Sequence, residues 1–337
     1  MALRVRKLVA SPRNGLELLL AVDAGATHTR AVVADVNGKV IGKGFAGAAN
    51  SYAVGPTVAS RNLVRAISQA RKKSGVSPTQ ISVAAIGSAS VDYDDSGAEP
   101  ISKSLARYLP SARILVKPDA LIALEGALGG KPGVVIVCGT GSIVLGRDSN
   151  GSVVKIGGWG PMMGDEASAQ WVGREALRRA AQAADKTGPP TRLVQRFMRH
   201  YKLRSFDRII DVVYQRHMTP AELGVLAPIV SATAREGDLV AREIFHDGAE
   251  ALASQAAQAA ERVRLRSIRI SYQGSMFTTG PLLLNPLRAT LRRLAPHAKF
   301  VAPISSPIAG AFLLALQAIG VDHVELALEK FQRGANV

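Results

Sequence analysis

The chain has 337 residues, 47% of them hydrophobic and 20% charged, which is a globular composition long enough for two domains. Its formal net charge is +16, from 42 Lys and Arg against 26 Asp and Glu, and such a surplus attracts anions such as nucleotides and phosphosugars. The single cysteine, Cys138, excludes an intrachain disulfide and a thiolate-built zinc or iron–sulfur site within one subunit. It suits a reducing cytoplasm, the expected location. No apolar run reaches the ~18 residues of a membrane span, so no membrane partner is expected. The basic residues are dispersed, with no aromatic interleaving and no zinc-finger spacing, so nucleic-acid binding is not expected either.

Residues 1–15 scatter charges through a short apolar stretch and read as a loose basic leader, not a signal peptide. Leu16–Asp23 (LELLLAVD) is a buried strand that runs into a small-residue turn, AGATHT. RAVVADV is a second strand, Asn37-Gly38 a hairpin turn, and KVIGKGF a third strand. The same layout returns about 115 residues later. GVVIVCG is a strand, TGS a turn, IVLGRD a strand, SNG a hairpin turn and SVVKIGG a strand. A repeated three-stranded meander predicts two similar domains.

Helices follow each meander. Pro56 opens a helix that Ser74-Gly75 ends, ISVAAIG is a strand, and Glu99–Tyr108 is a short helix. ARILVKP is a strand ending at Asp119, which leads into the helix LIALEGAL. In the stretch GGWGPMMGDEASAQW (157–171), Asp165 fits an N-cap for a helix running from Glu166 to about Ala184. Trp159 there is either a flat face for a ligand or a buried core ring, and Met162 and Met163 read as local packing. Thr219-Pro220 and Asp238 start further helices. SIRISYQ is a strand before a Leu-rich helix interrupted at Pro286, KFVAP a final strand and SPIAGAFLLALQAI a final helix. The fold class is α/β with mixed sheets. The expected division is 16–118, 119–304 and 305–337.

Three turns follow apolar strands: Asp23–Thr29, Gly139–Ser142 and Gly274–Phe277. Small residues there let backbone N–H groups face a phosphate. Gly25, Ala26, Thr27, Thr140, Gly141, Ser142, Gly274 and Ser275 are therefore candidate phosphate contacts. None of the turns is a Walker A loop, since GKVIGKG lacks both the spacing and the final Ser or Thr. Asp23 is a candidate ligand for Mg²⁺, directly or through water. Asp119, at a strand end, either caps a helix or takes a proton from an attacking hydroxyl. Asn50 is a candidate polar contact or a plain turn residue. His28 and Cys138 read as a solvated and a packed side chain.

On these residues the chain resembles the N-acetylglucosamine kinase and BadF/BadG-type ATPase family of the actin/hexokinase-like superfamily. GGWGPMMGDEASAQW carries most of the likeness, joined by DAGATHT, CGTGS and QGSMF. The resemblance implies two ribonuclease-H-like domains around a hinged cleft, with the segment 305–337 returning to the first domain. It implies an ATP- and Mg²⁺-dependent sugar kinase that phosphorylates a hydroxyl of a hexose or amino-hexose of the N-acetylglucosamine, glucosamine or glucose type, with Asp119 as general base. It assigns the phosphate contacts of the three turns to ATP, and places Asn50, Gly158, Trp159 and Asp165 at the sugar, Asp23 at the magnesium, and Gly274 and Ser275 at the nucleoside. A homodimer is expected. The alternative is a BadF-type ATPase that drives a partner protein; the cluster-bearing activator branch lacks its cysteines here. Ala24, Ala26 and Ala167 stand where the family often has glycine, and His28 where it often has a lysine or arginine.

Overall fold

The computed structural model describes residues 17–215, 218–321 and 324–335; the leader at 1–15 lies outside them. The elements run, in chain order, β1 (Leu18–Ala24), β2 (His28–Asp35), β3 (Val40–Gly47), α1 (Ser51–Val54), α2 (Pro56–Ser74), β4 (Ile81–Ser88), α3 (Ala98–Tyr108), β5 (Arg113–Pro118) and α4 (Asp119–Leu128). The second part runs β6 (Gly133–Cys138), β7 (Ser142–Arg147), β8 (Val153–Gly157), α5 (Ala169–Ala184), α6 (Leu193–Tyr201), α7 (Pro220–Gly224), α8 (Ala227–Arg235), α9 (Leu239–Val263), β9 (Ile268–Gln273), α10 (Pro281–Leu294), β10 (Ala298–Phe300), α11 (Pro307–Ala318) and α12 (Glu325–Ala335).

The strands form two five-stranded sheets, β3-β2-β1-β4-β5 and β8-β7-β6-β9-β10. In each, the meander is antiparallel and the two later strands are parallel to its first strand. The repeat read from the sequence is thus a repeat of topology, with β1 matching β6 and β5 matching β10.

Alternation along the central strands decides what covers each face. In β1, Leu18, Leu20 and Val22 join α2 in one core, while Leu19 and Ala21 join α11 in another. In β6, Val134, Ile136 and Cys138 face the helices α5 to α10, and Val135 faces α4. So α4, which follows the first sheet, covers the inner face of the second. Conversely α11, which follows the second sheet, returns to the inner face of the first. An ion pair between Glu125 on α4 and Arg147 on β7 adds to the first of these contacts.

The two exchanged helices cross at glycines. A Cβ on Gly310 would lie 1.9 Å from the Ile122 carbonyl oxygen, and one on Gly126 would lie 2.2 Å from that of Ser306. Only hydrogen fits at this crossing. The segment entering α11 is also tied to the end of α4, since Ser305 Oγ donates to the Gly126 carbonyl at 3.0 Å.

Three sequence expectations are corrected. The helix after the Gly-rich loop starts at Ala169 with Ser168 as N-cap, whose hydroxyl accepts from the Trp171 amide; Asp165 is not its cap. Pro286 does not interrupt α10, which continues through it. The last helix is α12, not α11, and Ala327, Leu328 and Phe331 bury its apolar stripe against the first sheet.

Replacing Gly310 with Ala is expected to lower the stability of the protein by about 1–3 kcal/mol, the cost of overpacking against backbone that cannot move aside. Urea denaturation of the two proteins measures it.

Candidate active site

Asp23 continues the Leu19–Ala21 row of β1 past the end of the core, so its side chain faces the cleft between the sheets. On the next strands the register runs Asp23, Gly87, Lys117, which leaves Asp119 two residues on, at the first residue of α4. Two half-buried carboxylates therefore share one wall, separated by a strand that offers only a glycine. Burial pushes Asp23 up to about 7, the Asp119 charge adds to the rise, and Arg30, its cross-strand partner, opposes it. Burial also raises Asp119 to about 6, while its own amide N–H and that of Ala120, at the start of α4, moderate the rise. Asp119 does not cap α4 with its side chain; the cap position is Pro118.

The two meander turns meet across the cleft. Thr27 Oγ1 and Thr140 Oγ1 are 2.9 Å apart, one hydroxyl from each half of the repeat. Gly25 donates its N–H to the His28 carbonyl, and Gly139 donates to that of Gly141. Ala24 and Ala26 keep ordinary backbone angles, so neither position needs glycine. The third turn adjoins the second: a Cβ on Gly139 would meet Ser275 Oγ at 3.7 Å. At Gly274, with φ +114°, a Cβ would strike the Cys138 carbonyl at 2.2 Å. Together the turns form one strip of small residues and hydroxyls beside Asp23.

Asp165 closes the strip from behind. Its Oδ1 accepts from the Ser142 amide at 3.2 Å and its Oδ2 from Gln170 Nε2 at 3.0 Å. Burial raises its pKa and these two donors oppose the rise. The Ser142 hydroxyl in turn donates to the Glu166 carbonyl at 2.7 Å. Asp165 and Ala167 both take left-handed backbone, at φ +62°. For Ala167 this is strain of about 1–2 kcal/mol that a glycine would not carry. Trp159 is 66% exposed, and Met162 and Met163 are exposed too, which corrects the reading of the methionines as packing. Gly158, at φ +67°, turns the chain just before Trp159.

Asn50 caps α1, its Oδ1 accepting from the Tyr52 amide at 3.0 Å. That leaves its amide N–H donors for a ligand. The turn is joined to the loop after β4, because Ser90 Oγ donates to the Ala49 carbonyl and accepts from the Ser51 amide. That loop carries Tyr93, which packs on the core of α4 and whose hydroxyl feels the Asp119 charge. Lys117 and Asp95 form an ion pair at 2.9 Å that braces the same loop. Tyr93 gave no signal in the sequence, since DYDDSG reads as any polar turn.

A family profile, BadF/BadG/BcrA/BcrD ATPase, matches residues 20–315. The chain belongs to this family. Among curated proteins it is 28% identical over 304 residues to an N-acetylmuramic acid/N-acetylglucosamine kinase of Clostridium acetobutylicum, covering 89% of this chain and 98% of that one. It is 27% identical over 314 residues to an N-acetyl-D-glucosamine kinase of Dictyostelium discoideum, with 89% and 98% covered. A solved structure from Chromobacterium violaceum, named for an N-acetylglucosamine kinase, superposes with a TM-score of 0.74 at 24% identity, covering 90% of this chain and 99% of that one.

Among the described residues no group of three or more His, Cys, Asp or Glu is placed to hold a metal. No helix there is long and apolar enough to cross a membrane.

The raised carboxylates fix how stability varies with pH. A carboxylate whose folded pKa exceeds its unfolded value binds protons more tightly when folded, so its contribution is present at low pH and lost as pH rises through the folded value. The ligand-free protein is expected to lose stability between about pH 4 and 7 through Asp23 and Asp119. In Asp23→Asn that slope should flatten in thermal melts recorded across this range.

Proposed function

We propose that the chain is an ATP-dependent kinase that transfers the γ-phosphate to a hydroxyl of an amino-hexose of the N-acetylglucosamine type, with Asp119 as the general base. The observation that carries this reading is the placement of Asp119. A carboxylate raised to about 6 stands at a helix start in the cleft, beside the strip of turns and across one strand from Asp23. A base of that pKa is ionised at neutral pH yet basic enough to draw a proton from a hydroxyl. The kinase names of the relatives support the substrate class.

In this reading Gly25, Ala26, Thr27, Thr140, Gly141 and Ser142 cradle the phosphates, and Gly274 and Ser275 border the nucleoside. Asn50 offers its amide donors to the sugar, and Gly158 and Trp159 shape its seat. Asp165 serves the sugar with the lone pairs its two bonds leave. It also holds the Ser142 amide in place, so its loss would disturb the phosphate side as well. Asp23 fits a magnesium ion, since a half-buried carboxylate beside a like charge gains from a cation. Mg²⁺ takes few protein ligands, with the remainder from phosphates and water, which agrees with one carboxylate rather than a cluster. When bound it would offset phosphate charge. Asp119 then accepts the proton of the sugar hydroxyl as that oxygen attacks, and a closed cleft would exclude competing water. We take the lobes as 16–118 and 119–304, with 305–337 returning, and expect a cytoplasmic homodimer.

Asp119→Asn should lower kcat by roughly 10²–10⁴-fold, the usual worth of a general base, while sugar binding by calorimetry persists. In the wild type, kcat/KM for the sugar should rise with pH through about 6 and then level, the limb belonging to ionisation of Asp119.

A further inference from the structure

Gln170 is the second residue of α5 and is buried, with 1% of its surface exposed. Its Nε2 donates to Asp165 Oδ2 at 3.0 Å, whereas its Oε1 has no donor among the described residues. A carboxylate only accepts, so the amide nitrogen must be the end that faces Asp165 and the oxygen the end left over. A buried acceptor without a partner costs about as much as the bond at the other end contributes. Packing alone therefore gives no reason for a glutamine, since an unbranched apolar side chain of the same length would fill the place as well. What the glutamine adds is an N–H aimed at Asp165.

The neighbouring bonds show what that donor decides. Three of them tie the second small-residue turn to the Gly-rich loop and α5: the Ser142 N–H to Asp165 Oδ1, the Ser142 hydroxyl to the Glu166 carbonyl, and the Ala169 N–H to the Gly139 carbonyl at 2.8 Å. Gln170 joins in none of them. Held by Ser142 alone, the carboxylate could swing about that bond; Gln170 fixes its second oxygen. Two donors set the plane of the group and leave one lone pair on each oxygen, side by side. Such a pair suits two adjacent hydroxyls of a sugar ring, provided Asp165 is ionised. Burial and the Glu166 charge favour the neutral acid, while the Ser142 amide, Gln170 and Arg174 of α5 favour the ion. The nearby Cys138 thiol, raised by burial and by the Asp165 charge, stays neutral.

We propose that Gln170 is a positioning residue for the sugar, one that holds Asp165 in the plane and in the acceptor state that two sugar hydroxyls require. This rests on the reading of Asp165 as a sugar ligand and adds to it the residue that orients the carboxylate. Gln170 is buried and acts through Asp165 alone.

The test uses Gln170→Met, which keeps length and burial and removes the donor, and Gln170→Glu, which donates only when protonated. In Gln170→Met, KM for N-acetylglucosamine should rise roughly tenfold, the worth of one hydrogen bond to a charged group. KM for ATP should stay within about twofold, because the three ties of the phosphate turn remain, and the thermal midpoint should change little. On acidification Gln170→Met should lose calorimetric sugar binding at a higher pH than the wild type, since removing a donor makes Asp165 easier to protonate. Gln170→Glu should show the opposite slope, binding sugar at mildly acidic pH and losing it as pH rises and the second carboxylate ionises. The inference is overturned if Gln170→Met raises both KM values together, or if it binds sugar like the wild type while Asp165→Asn does not. Sugar binding by Asp165→Asn equal to that of the wild type would instead overturn the sugar role of Asp165, and this inference with it.

Discussion

The structure depends on holding two carboxylates, Asp23 and Asp119, in one partly desolvated cleft. Each is expensive to ionise there, and the Asp119 charge makes Asp23 more so. The fold contributes partial compensation: Arg30 opposite Asp23, and the first N–H groups of α4 at Asp119. The balance leaves both carboxylates well above their ordinary range and gives the cleft an appetite for a cation and for an acidic proton. In the proposed reaction a magnesium nucleotide would bring the first and an attacking hydroxyl a proton for the second. The same physics that costs stability in the empty protein thus prepares the chemistry.

Keeping that wall intact is the task of the exchanged helices. α4 leaves the first sheet to cover the second, and α11 leaves the second to cover the first. They touch at Gly126 and Gly310, where backbone meets backbone. Because Asp119 is the first residue of α4, the geometry of the proposed base is tied to this crossing. Away from it, the lobes meet through small contacts, the Thr27–Thr140 hydroxyl pair and the Lys155–Tyr93 approach. A broad crossing at the base and narrow contacts at the rim suit a cleft whose walls are fixed and whose mouth admits a ligand.

Much of this was legible in the sequence. Apolar runs followed by small-residue turns and Asn-Gly hairpins marked both meanders, because strand burial and turn chemistry are local properties. Asp23 and Asp119 stood out as carboxylates at strand ends. What the sequence hid depends on tertiary context. Asp165 resembles a helix cap, but left-handed backbone at Asp165 and Ala167 delays the helix to Ala169 and turns the carboxylate to the Ser142 amide. Trp159, Met162 and Met163 have core chemistry and surface positions. Tyr93 and Lys155 lie 62 residues apart in the numbering and carry no motif, so only folding brings them together. The charge has a plain partial account: Arg61, Arg65, Lys72 and Lys73 line a hollow along α2, whose buried side packs on the first sheet.

The central claim is that the cleft delivers phosphate to a sugar hydroxyl and not to water. The most direct measurement is release of ADP from magnesium ATP with N-acetylglucosamine, N-acetylmuramic acid, glucosamine, glucose and no sugar, with the phosphorylated product quantified alongside. The account predicts ADP release that needs an amino sugar and matches sugar phosphate mole for mole. ADP release at the same rate without any sugar would contradict it and identify an ATPase that serves another partner.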